Sequence, residues 1–117
     1  MLKISLTTII VMLSMFGTSY AVAASPEQIA AKITANQSAT STIIEAAIKD
    51  KPSDAVAITT ASVKSNPSLA DKITSAAIIA APKQANDITN AAVKAAPDMA
   101  AEITAAAVSA LEKVYKQ

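Results

Sequence analysis

Side chains able to do chemistry are few in this chain and stand apart from one another. Asp50 and Asp54 flank Pro52 at a spacing that suits a carboxylate pair, the arrangement in which one group holds a proton while the other stays charged. Ser68 with Lys72 and Ser109 with Lys113 lie four apart, yet the Ser-x-x-Lys spacing of serine acyl enzymes never occurs. Histidine and cysteine are absent, which removes the commonest general base, the commonest metal ligand and the thiolate nucleophile. Gly17 is the only glycine, so a glycine-rich phosphate loop is excluded. Asn36-Gln37-Ser38 matches a glycosylation acceptor in form. These residues imply no enzyme, no cofactor and no metal site, and Asp50 and Asp54 read as surface charge at a helix junction.

The elements that carry these side chains are copies of one another. A fifteen-residue phrase starts at Pro52, Pro67, Pro82 and Pro97, each time followed at fixed offsets by Ala, an Ile-Thr pair, two small residues and Val or Ile. A fixed period of this kind marks stacked, near-identical units. The units are 37–51, 52–66, 67–81, 82–96 and 97–111. Gln37 stands where the first proline is due, and 112–117 forms a C-terminal cap in which Glu112 replaces the next proline and the last helix runs on through Leu111, Val114 and Tyr115. A further short helix is expected from Pro26 to about Ala35, slightly out of register.

Proline suits the first helical position and breaks a helix interior, so each one starts a helix and ends its predecessor. Helices of about 11 to 13 residues joined by tight turns follow from that spacing. Ser25, Ser38 and Asn66 are expected as N-caps, whereas Lys51, Ala81 and Ala96 cap poorly and leave open whether the chain reverses or only kinks there. At 100° per residue the apolar positions fall in one arc, with Ile at one edge, Val at the other and small residues between. The interface candidates are therefore Ile58, Val63, Ile73, Ile78, Ile88, Val93, Ile103 and Val108. The opposite face carries the i,i+4 pairs Glu45–Lys49, Lys83–Asp87 and Glu112–Lys116. The expected fold is all-α, a short-helix solenoid of mostly antiparallel neighbours built from Ala-rich, Pro-punctuated repeats. No single unit buries enough to stand alone.

Lys3 precedes an apolar run from Ile4 to Phe16, too short for a membrane span and the right length for a signal-peptide core. Ala21-Val22-Ala23 supplies the cleavage pattern, so residues 1–23 are read as a signal peptide and 24–117 as one helical-repeat domain, exported to the periplasm or the exterior. Without Lys3 the remaining nine lysines balance the nine Asp and Glu. Balanced charge and a complete lack of arginine argue against nucleic acid as a partner and leave an anionic membrane surface as a weak one. The partner implied is a protein, either a second copy or another extracytoplasmic chain.

Thr59, Thr74, Thr89 and Thr104 recur at one offset among alanines, a composition that resembles the alanine-rich helical antifreeze proteins. That resemblance implies an exposed threonine array for ice. On one straight helix the repeat would set the threonines about 22.5 Å apart, and here prolines intervene. The competing expectation is that each Thr lies in the seam and donates to the carbonyl four residues earlier. Proline-punctuated amphipathic helices also resemble those of exchangeable apolipoproteins in layout, which implies a lipid-surface role, although an alanine face without Trp or Phe binds bilayers poorly. A structural, scaffold or self-association role is the leading expectation.

Overall fold

The structure, a computed structural model, describes residues 24–116; the signal peptide read over residues 1–23 lies outside the described residues. Six α-helices follow in order: α1 (Pro26–Ala35), α2 (Thr40–Asp50), α3 (Ala55–Ser65), α4 (Ala70–Ala80), α5 (Ala85–Ala95) and α6 (Ala100–Tyr115). Each helix after α1 is preceded by a three-residue 3₁₀ turn, and in four of the five turns the first residue is proline: Pro52–Asp54, Pro67–Leu69, Pro82–Gln84 and Pro97–Met99. Turn and helix together make about 14 residues, and no strand occurs among the described residues. Alanine and the other good helix formers in each unit supply local propensity, and the proline sets where the unit begins.

One residue per unit takes an extended conformation between the helix and the following 3₁₀ turn. Lys51, Asn66, Ala81 and Ala96 have φ of −141°, −137°, −139° and −140° with ψ between 65° and 80°. Steric exclusion by the following proline ring pushes each of them out of the α region. Asn36, which precedes Gln37, takes the same conformation at φ −146° and ψ 80°, so packing imposes it where proline is missing. Backbone hydrogen bonds tie each junction. The Lys51 N–H donates to Ala47 O at 3.1 Å and the Asp54 N–H to Lys51 O at 3.0 Å, a pattern repeated at Asn66, Ala81 and Ala96.

Side-chain capping plays almost no part in this. Ser25 does cap α1, in a reciprocal box with Gln28 at 3.2 Å and 2.9 Å. Asn66 and Ser38 do not cap: Asn66 turns inward toward α1, and Ser38 bonds the Asn36 side chain at 2.8 Å. Where no side chain caps, the 3₁₀ turn ahead of each α-helix already supplies i→i+3 partners for the first amides.

Helices adjacent in sequence are not the main packing partners. α1 packs chiefly on α3, α2 on α4, α3 on α5 and α4 on α6, so the helices form two rows, α1-α3-α5 and α2-α4-α6. The unit repeated in space is thus two helices, the thirty residues from Pro52 to Pro82, not the fifteen written in the sequence. Between the rows runs a continuous core whose largest buried side chains are isoleucines, among them Ile33, Ile44, Ile58, Ile73, Ile88 and Ile103. No described helix is long and apolar enough to cross a membrane.

Candidate interaction surface

The side chains singled out for chemistry do not assemble into a reactive site. Asp54 lies 3.6 Å from the Lys51 ammonium, an i,i+3 pair across the turn, and Asp50 is exposed. Ser68, Lys72, Ser109 and Lys113 are all exposed, and no hydrogen bond joins either pair among the described residues. No group of three or more carboxylates gathers among the described residues. Of the i,i+4 pairs expected on the outer face, none closes to an ion pair there, in keeping with the small energy such pairs offer on a solvated helix.

The threonines separate by place in the stack. Thr59 and Thr74 are fully buried, Thr89 is half-buried and Thr104 is exposed, so the four do not form a surface array. Thr59, Thr89 and Thr104 donate to Ala55 O, Ala85 O and Ala100 O at 2.7–2.8 Å, the back-bonding of a helical hydroxyl. Thr74 Oγ1, like Ser62 Oγ, is buried without a partner. The exposure gradient has a simple cause: α3 and α4 are each covered by the helix two further on, whereas α5 and α6 have no such helix.

The aliphatic array divides in the same way. Ile58, Ile73, Ile88 and Ile103 are all buried, at 1 % exposure or less. Val63 and Ile78 are also fully buried, Val93 is half-buried, and Val108 is 53 % exposed. Val108 was expected in an interface and faces solvent instead, because α6 ends its row. From α2 to α6 the burial of the apolar arc thus falls into two halves: the Ile-led half is buried where a helix two before exists, and the Thr-led half where a helix two after exists.

Both ends of the α2-α4-α6 row leave one half uncovered. At the C-terminal end Thr104, Val108, Leu111 and Tyr115 make one stripe along α6, with Tyr115 at 73 % exposure and Glu112 and Lys116 beside it. At the N-terminal end Ile43, Ala46 and Ala47 of α2 line a groove of about 450 Å³ whose far wall is Ala24, Ile29 and Ile58 and whose rim carries Lys32, Asp50 and Lys51. Their counterparts on α4, Ile73, Ala76 and Ala77, are buried. The other row begins differently, since α1 buries Ile29 and Ile33 and turns Glu27, Ala31 and Lys32 to solvent. A polar outer face is what a terminal capping unit needs.

Sequence reasoning placed the aliphatic positions but missed the open face of α2 and the inward role of Asn66. The doubled isoleucine at Ile43-Ile44, where other units have Ile-Thr, was the available signal for α2. No family model matches the chain, and neither the curated proteins nor the solved structures contain a significant match to it.

Proposed function

We propose that this is an exported, non-enzymatic α-helical solenoid that acts through its regular surfaces, as a structural scaffold or by self-association. The observation that carries the reading is the repetition of one helix-on-helix interface, with no cluster of three or more carboxylates among the described residues. Repeat stacks of this kind gain stability from neighbouring units and offer extended surfaces to partners. Export rests on Lys3, the apolar run Ile4–Phe16 and the Ala21-Val22-Ala23 pattern. Balanced charge and the lack of arginine favour a protein partner over nucleic acid.

Two measurements test this on protein recovered after expression of the complete chain in a bacterium. N-terminal sequencing should begin at Ala24, and a chain that keeps Met1 in the cytoplasm would remove the export half. Light scattering over a wide concentration range should show mass above that of one chain. A strict monomer throughout would remove self-association.

A further inference from the structure

Burial follows one pattern along the α2-α4-α6 row: the Thr-led half of a helix is buried where a helix two further on exists, and the Ile-led half where a helix two before exists. α2 packs on α4 and α4 on α6, and Ile44 and Ile48 of α2 and Thr74 and Ile78 of α4 are all buried, at 0 % exposure. The two halves that remain open are of opposite kind. α6 ends the row with a Thr-led half, and α2 begins it with an Ile-led half.

We infer that copies of this chain stack head to tail, with Thr104, Val108 and Leu111 of α6 packed on Ile43, Ala46 and Ala47 of α2 in the next copy. This rests on the self-association reading and specifies its geometry. The contact continues an interface the chain already makes twice within itself, at the same offsets: Thr104 and Val108 correspond to Thr74 and Ile78, and Ile43, Ala46 and Ala47 to Ile73, Ala76 and Ala77, while Leu111 stands where α4 is followed by Ala81. Alanines at the contact allow the helix axes to approach to the near end of the usual 8–10 Å, about as inside one chain. Tyr115, 73 % exposed, continues the same stripe at its C-terminal end.

Because the two surfaces differ, the contact is heterologous and adds copies in one direction without closing at a dimer. Assembly of this kind is reversible and grows with concentration.

The test uses Val108→Lys, which disables one end, and Ala46→Lys, which disables the other. Both positions are exposed, so each variant should keep native helicity by circular dichroism. In sedimentation velocity up to millimolar concentration, the native chain should grow beyond twice its monomer mass. Each variant alone should stay monomeric, and the two mixed in equal amounts should give about a twofold mass and nothing larger, since one intact head meets one intact tail. If the native chain grows and the variants grow equally, the stacking geometry is wrong while self-association stands. If Val108→Lys alone abolishes growth and Ala46→Lys does not, copies meet face to face through α6 and the head-to-tail inference is overturned. A native chain that never grows overturns both.

Discussion

The Asn66 side chain spans 32 residues to meet Thr34, with Thr34 Oγ1 at 3.1 Å from Asn66 Oδ1, and thereby ties α1 to α3. The single hydroxyl proton of Thr34 is shared with Ala30 O, also at 3.1 Å, while Asn66 Nδ2 donates to Ala30 O at 3.4 Å and Ser62 O at 3.3 Å. Alanine already occupies the equivalent junctions at 81 and 96 with the same backbone, so Asn66→Ala leaves the turn intact and removes only this tie. We expect a loss of about 1–2 kcal/mol in urea unfolding, with faster amide exchange concentrated in α1. Asn66→Asp should cost more, since it sets a buried negative charge against two carbonyl oxygens.

Ile78 and Val108 occupy the same place in the repeat and differ only in whether another helix follows. Ile78→Ala should destabilise by about 2–5 kcal/mol because α6 seals the cavity it leaves. Val108→Ala should stay within about 0.5 kcal/mol under dilute, monomeric conditions. Comparable losses for the two would contradict the two-row arrangement.

Thr74 and Thr59 are equally buried but unequally satisfied. Thr74→Val removes a hydroxyl that has no partner and should raise stability by about 1 kcal/mol, a melting increase of about 4–8 °C for a domain this size. Thr59→Val removes a bond of 2.8 Å to Ala55 O and should be neutral or destabilising. Calorimetry of the two variants side by side decides the point.

Gln37 is the one 3₁₀ start without proline, and Asn36 ahead of it already has the conformation proline requires. Gln37→Pro should therefore stabilise by about 0.4–1 kcal/mol by restricting the unfolded chain. Pro67→Ala should lose about as much without change in helical circular dichroism, because packing holds the junction.

Burial of Thr59 and Thr74 leaves no flat threonine array, and the helices spend their apolar arcs on one another. Thermal hysteresis is expected to be absent at millimolar concentration, with no shaping of ice crystals. Flotation with liposomes should leave the protein in the dense fraction. Either activity would mean that the stack opens to expose its seam.

The residues alone determined that the chain is helical, where each turn-and-helix unit starts, and which arc of each helix is apolar. These follow from local rules: proline lacks the N–H a helix interior needs and restricts the residue before it, and the 100° turn per residue sorts Ile, Ala and Val onto one side. Whether Lys51, Ala81 and Ala96 reverse the chain was not legible, because capping strength says nothing about the angle between helices. Tertiary packing alone decided that each helix leans on the one two away, and so why Thr59 and Thr104, or Val63 and Val108, have opposite fates under one motif. The physical reason is that periodicity marks an apolar surface but does not name what covers it. Small side chains fit equally well against either neighbour, and only the finite length of the stack distinguishes an interior copy from an end.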